Sequence, residues 1–150
     1  MIFQRLLLIG IACLISSPVL AAERASDVVR IENPFARAVV PGMSMSGAFM
    51  TFHNDGNDEH LLVAAKSSIA KHVELHAHIK EGGMMRMRQM AHFHLKPGAP
   101  KILKPGGLHI MLMGLQGSLS EGDEISIELF FDDGSQTLVK VPVKSISAQH

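Results

Sequence analysis

Residues 72–79 read His-Val-Glu-Leu-His-Ala-His-Ile, and residues 109–113 read His-Ile-Met-Leu-Met. In both stretches, aliphatic residues alternate with His, Glu or Met. Successive side chains of a β-strand point to opposite faces of a sheet, so each stretch is predicted to be a strand with one aliphatic face for the core. The other face carries His and Glu in the first strand, and His109, Met111 and Met113 in the second. Because the core faces are already aliphatic, the His and Met faces need another role.

Comparable short stretches recur along the chain, with Gly, Pro, Asn and Asp between them where turns are expected. The predicted strands are Val28–Ile31, Phe35–Val40, Gly47–His53, Leu61–Ala65, His72–Ile79, Met84–Met90, His109–Met113, Ile125–Phe131 and Thr137–Val143. No stretch keeps a helical apolar period, and only Ser67–Ala70 is expected to form a short turn. Closely spaced strands without intervening helices predict an all-β sandwich or barrel.

Residues 1–21 have the organisation of a secretory signal peptide. One arginine precedes a run of ten predominantly apolar residues, and the small residues that follow allow cleavage after Ala21 or Ala22. Ten residues are too few to span a bilayer as a permanent anchor, so no stable membrane insertion is expected. We therefore predict an exported single domain over residues 22–150.

Charge and cysteine usage exclude several classes of function. The chain has 14 Lys plus Arg against 14 Asp plus Glu, with no Trp or Tyr, which disfavours a nucleic-acid partner. The single cysteine, Cys13, lies in the signal segment. The exported domain is therefore expected to have no disulfide and no thiolate nucleophile. Nine His and ten Met are the compositional bias that remains to be explained.

Four of these residues have a distinctive spacing. His76 is followed by Met87 after ten residues, by His109 after twenty-one more, and then by Met111. Thioether sulfur is a soft ligand that favours Cu(I), and imidazole also suits copper. Two imidazoles and two thioethers are compatible with tetrahedral coordination of a d10 ion. The residue types thus indicate a site for Cu(I) that needs no cysteine.

This spacing, together with Leu-Lys-Pro-Gly-Gly-Leu-His-Ile-Met-Leu-Met-Gly-Leu at residues 103–115, resembles the signature His-x10-Met-x21-His-x-Met of the PCuAC family of periplasmic copper chaperones. The resemblance implies a cupredoxin-like Greek-key β-sandwich located in the periplasm. It also implies one Cu(I) per chain, with the ligands His76, Met87, His109 and Met111.

The same resemblance implies partners for copper delivery. These are the copper-bearing subunit of cytochrome c oxidase or a thioredoxin-like copper assembly protein. His78 stands where many members have Met, and it is predicted to assist the Cu(I) site or to contribute to a weaker secondary Cu(II) site. We expect a monomeric binding protein without catalytic turnover.

Other functions are less well supported by the residues. Nine His are compatible with a zinc and copper buffer, or with a copper-tolerance protein that has no dedicated acceptor, although Met is a poor ligand for zinc. An electron-transfer cupredoxin would need a cysteine ligand. Glu74 between His72 and His76 is a thin basis for a hydrolase. A sandwich without a ligand would leave the His–Met spacing unexplained.

The remaining Met and His residues are expected to have structural roles. Methionine in a strand commonly fills core space, and an isolated histidine commonly lies at the surface. Five methionines are predicted to be core filler: Met43, Met45, Met50, Met85 and Met90. Six histidines are predicted to lie at the surface: His53, His60, His72, His92, His94 and His150.

Overall fold

The computed structural model describes residues 22–145. The predicted signal peptide and His150 therefore lie outside the described residues. The elements in chain order are α1 (Ala25–Val28), β1 (Val29–Arg37), β2 (Met45–Asn54), β3 (His60–Lys66), β4 (Ala70–Glu81), β5 (Met84–Gln89), β6 (Phe93–Leu95), β7 (Lys101–Ile102), β8 (Leu108–Leu115), β9 (Glu124–Phe131) and β10 (Gln136–Lys144). Across these residues, no helix has the length and apolar character needed to span a bilayer.

The strands form two halves that share one core. One half has the order β5-β4-β8-β2-β1, and the other has the order β10-β9-β3-β6, while β7 adds a short pairing to β2. β1 and β10 connect the halves through a parallel pairing limited to Ala36 with Val143 and Arg37 with Lys144. Residues from both halves belong to one hydrophobic cluster. This arrangement confirms the predicted cupredoxin-like Greek-key β-sandwich.

Alternation along the strands supplies the core, as predicted. In β8, Ile110 and Leu112 are fully buried, and in β4, Leu75 and Ala77 are buried. Ile79 was predicted to share the core face of β4, but it is exposed. The physical reason is that the last residues of β4 pair with the edge strand β5, beyond the end of the pairing between β4 and β8 at Ala77.

The first two predicted strands form one strand. They were predicted as separate strands, Val28–Ile31 and Phe35–Val40, but β1 continues through residues 32–34 with a register shift between Glu32 and Phe35. Asn33 adopts a positive φ of 50°. Asparagine tolerates this conformation better than most residues, and an extra residue in one strand produces a bulge without ending the ladder. The elements α1, β6 and β7 are too short to show a periodic pattern of apolar and polar residues, and they were not predicted.

The core predicts where substitutions will destabilise the fold. Leu112→Ala and Ile127→Ala each remove a fully buried side chain, so each should lower the free energy of unfolding by about 2–5 kcal/mol. Leu138→Ala is a matched control on an exposed strand position, and its effect should stay within about 0.5 kcal/mol. Urea denaturation measures all three. Equal losses for buried and exposed positions would contradict this assignment of the core.

Candidate metal centre

The strands that carry the predicted ligands are neighbours in one half of the sandwich. β8 pairs with β4 so that His109 lies directly opposite His76. β5 pairs with β4 so that Met87 lies directly opposite His78. Met111 follows His109 by two residues and therefore faces the same side of the sheet. Because Cβ atoms of opposed residues are about 4.5–5.5 Å apart, the register gathers these five side chains into one patch.

A cavity of about 380 Å³ opens on this patch. Met87, His109, Met111 and His78 line it, together with residues of the segment 37–49. Three of the four predicted ligands, and the predicted auxiliary His78, thus surround one cavity. The fourth, His76, lies beside it rather than in its lining, with its ring centroid 5.7 Å from that of His109.

The tautomer of His109 is set by the backbone. The residue is 3% exposed, and its Nδ1 lies 3.1 Å from the carbonyl oxygen of Gly107. A carbonyl can only accept a hydrogen bond, so Nδ1–H donates and Nε2 keeps its lone pair. A histidine that donates one ring N–H to a backbone carbonyl is oriented to bind metal through its other nitrogen. His109 is therefore prepared to act as a ligand through Nε2.

Burial lowers the pKa of the His109 imidazole below its ordinary value of about 6.5. The hydrogen bond to Gly107 opposes this effect, because it favours the protonated ring. The neighbouring charges of His78, His76 and Arg37 lower the pKa further. The neutral, metal-binding form of His109 therefore persists into more acidic solution than it would for an exposed imidazole.

A carboxylate orients His76. The Nε2 of His76 lies 2.7 Å from a carboxylate oxygen of Glu74, two residues earlier on the same face of β4. An ionised carboxylate only accepts hydrogen bonds, so Nε2–H donates and Nδ1 keeps its lone pair. Among the described residues, neither this Nδ1 nor the buried Nδ1 of His78 has a hydrogen-bond partner. Buried nitrogens without partners, beside thioethers, fit the donor set of a metal ion.

An aromatic ring and a guanidinium complete the surroundings of His109. The ring centroid of Phe49 lies 6.3 Å from that of His109. The guanidinium of Arg37 lies over the Phe49 ring, 5.7 Å from its centroid. A side chain at Gly47 would bring its Cβ to 3.0 Å from Phe49, so this position leaves room for the ring. The sequence analysis assigned these residues no role in the site, since that role depends on cross-strand neighbours.

The remaining methionines divide between core and surface. Met50 is buried in the core, as predicted. The prediction of core filler is wrong for four others, which are exposed: Met43, Met45, Met85 and Met90. Two of these lie on or directly after β5, an edge strand whose six residues are all exposed. Sequence alternation does not reveal whether a second layer covers a strand.

One histidine predicted to lie at the surface is buried. His60 is 5% exposed, and its Nδ1 lies 3.8 Å from a carboxylate oxygen of Asp132. It begins β3, where it pairs with the buried Leu95 of β6. The other described histidines of that group are exposed or half-buried: His53, His72, His92 and His94. Within residues 22–145, no three His, Cys, Asp or Glu side chains form a metal-binding group.

Comparison with known proteins assigns the chain to a family. The family model described as "Putative lipoprotein LpqE-like" matches residues 29–143. The chain belongs to the LpqE-like family. This LpqE-like chain is 37% identical over 125 residues to "Putative lipoprotein Lxx21020" of Leifsonia xyli subsp. xyli (strain CTCB07). That similarity covers 83% of this chain and 74% of the relative.

Solved structures share the fold of this LpqE-like chain. The "Copper-bound PCuAC domain from PmoF2" superposes with a TM-score of 0.68 at 21% identity, covering 83% of this chain and 99% of that domain. The solution structure of CuI-DR1885 from Deinococcus radiodurans has a TM-score of 0.64 at 29% identity, covering 78% of each chain. The fold of the chain is therefore that of PCuAC domains.

The environment of His109 predicts a titration below that of an ordinary imidazole. In the metal-free protein, its NMR midpoint should lie below about pH 6.5, because burial lowers the pKa of this ring. The unfolded chain then binds this proton first as the pH falls. The contribution of His109 to the free energy of unfolding should therefore be constant above about pH 6.5 and decrease as the pH falls from there to the folded midpoint.

The variant His109→Gln serves as the control for this prediction. It keeps a polar side chain of similar reach but removes the titrating group, so this part of the pH dependence should disappear. A His109 midpoint at or above pH 6.5 in the folded protein would contradict the role of burial.

Proposed function

We propose that this LpqE-like protein is an exported Cu(I) chaperone whose ligands are His76, Met87, His109 and Met111. The observation that supports it most is the free Nε2 of the buried His109, next to two thioethers that line the same cavity. His78 lines this cavity as well and is proposed as an auxiliary ligand.

The proposed donor set suits a carrier of Cu(I). Thioethers select soft ions, and they cannot be lost to disulfide formation in an oxidising compartment. Two imidazoles and two thioethers are neutral, so the loaded site keeps the positive charge of the ion. The positive charge of the nearby Arg37 repels the bound ion. The carboxylate of Glu74, which is hydrogen-bonded to His76, stabilises the ion. Moderate affinity permits release, as a carrier requires.

One proposed ligand is accessible to an acceptor protein. The Met87 side chain is 42% exposed on the edge strand β5, whereas His109 is buried. An incoming ligand can therefore displace Met87 first, while His109 still holds the ion. We propose delivery to the copper centres of cytochrome c oxidase, either at its copper-bearing subunit or through a thioredoxin-like assembly protein. The chain would act by binding and transfer, without catalytic turnover.

The comparisons support a copper ligand and export. The similar structures include a domain described as copper-bound and a protein solved with Cu(I). The matching family and the relative in Leifsonia xyli are described as lipoproteins, a class of exported protein. Together with the predicted signal peptide, these descriptions favour a periplasmic location. A weak secondary Cu(II) site remains a prediction from the sequence.

Anaerobic titration against a Cu(I) chelator tests the proposal. The wild-type protein should bind one Cu(I) at the proposed site, and Met87→Leu should weaken this binding by about 10-fold or more, since losing even a residue behind a metal ligand costs about 10- to 100-fold. Met85→Leu is the matched control, because Met85 lies on the same strand, is 60% exposed and does not line the cavity.

Two outcomes would overturn this assignment. If Met85→Leu and Met87→Leu weaken Cu(I) binding equally, the cavity does not define the site. If Zn(II) displaces Cu(I) at comparable concentration, the protein is a zinc and copper buffer rather than a Cu(I) carrier.

A further inference from the structure

A second row of soft donors crosses three strands of the same sheet face. Met113 of β8 lies directly opposite Met45 of β2 on one side and directly opposite His72 of β4 on the other. Opposed residues in antiparallel strands have Cβ atoms about 4.5–5.5 Å apart. Two thioethers and one imidazole therefore stand side by side, and none of the three belongs to the ligand set proposed above.

We propose that Met45, Met113 and His72 form a second, weaker site for a soft monovalent ion such as Cu(I). Thioether and imidazole are the ligand types that Cu(I) accepts, and a d10 ion is satisfied by three donors. Methionine has three rotatable bonds, so two opposed methionines can turn their sulfur atoms towards one ion. This inference goes beyond the proposed function, which requires only the site formed by His76, Met87, His109 and Met111, called the first site below.

Core packing does not account for the row. Met45 is 49% exposed, His72 is exposed, and Met113 is only half-buried. Within residues 22–145, the His72 ring takes part in no hydrogen bond or ion pair, so its nitrogen lone pair is available. Exposure of a single methionine is common at protein surfaces. The distinguishing feature of this row is that two thioethers and an imidazole are adjacent across three strands and accessible to an ion.

The row adjoins the first site. Met45 lines the same cavity as Met87 and His109. Along β8, Met113 is separated from the proposed ligand Met111 by about 6.6 Å of strand rise. The residue opposite Met111 on β2 is Gly47, and the ring of Phe49 lies over it. The direct connection between the two sites is therefore along β8, where an ion held by the row can pass to the first site when Met111 exchanges into its coordination shell.

The second site should be the weaker one. It has three donors rather than four, and they are more exposed to water than His109. It should fill only after the first site when the protein is titrated with a soft ion.

Titration of the full mature protein with Ag(I) tests this inference, with methionine methyl groups observed by NMR. Ag(I) is a soft d10 ion that does not undergo redox cycling under these conditions. At the first equivalent, the methyl groups of Met87 and Met111 should shift. At the second, those of Met45 and Met113 should shift together with the ring signals of His72.

Leucine variants separate the two sites. Met113→Leu keeps the volume and removes the sulfur, so it should weaken the second equivalent by about 10-fold or more and leave the first unchanged. His72→Asn, at an exposed position outside the cavity of the first site, should give the same pattern and guards against a folding defect in the first variant. Met85→Leu is the control and should leave both equivalents unchanged.

The outcomes distinguish this inference from the proposed function. Binding of a single equivalent, or a second equivalent that shifts Met84, Met85 and Met90 instead, overturns the second site and leaves the first intact. A response of Met45 and Met113 without any response of Met87 and Met111 supports the second site and contradicts the proposed function. If no methyl group responds, both are overturned.

Discussion

The pairing of β4 with β8, which sets His76 directly opposite His109, is the constraint on which the site depends. A shift of one residue in this register would turn every side chain of one strand to the other face. Leu75, Ile110 and Leu112 hold the register, because they are buried on the inner face and would be exposed by such a shift. Burial of the aliphatic face thus fixes the position of the ligand face.

Within this site, burial has two opposite effects: it favours the neutral, metal-binding form of His109, but it disfavours a bound cation. The buried His109 stays neutral because desolvation disfavours its protonated form, which lowers its pKa. The same burial, with Arg37 nearby, also disfavours a bound cation. The lone pair of His109, directed by the hydrogen bond to Gly107, and the carboxylate of Glu74 behind His76 compensate for this cost. The balance between these effects suits an ion that must be both held and released.

Much of this arrangement could be predicted from the sequence, because strand alternation determines which residues share a face. The faces of residues 109–113 are as predicted. The bulge at Asn33, the burial of His60 and the exposure of the methionines on β5 could not be predicted, because each depends on which strand or layer lies alongside. The same holds for the contact between Phe49 and His109, which joins residues sixty positions apart.

X-ray absorption at the copper edge, on protein loaded anaerobically with one equivalent of Cu(I), tests the central claim most directly. A site of two imidazoles and two thioethers predicts both nitrogen and sulfur scatterers in the first coordination shell, and a reduced sulfur contribution in Met87→Leu. A first shell of nitrogen and oxygen alone would contradict the account, because it would leave the thioethers at the cavity without a role in binding copper.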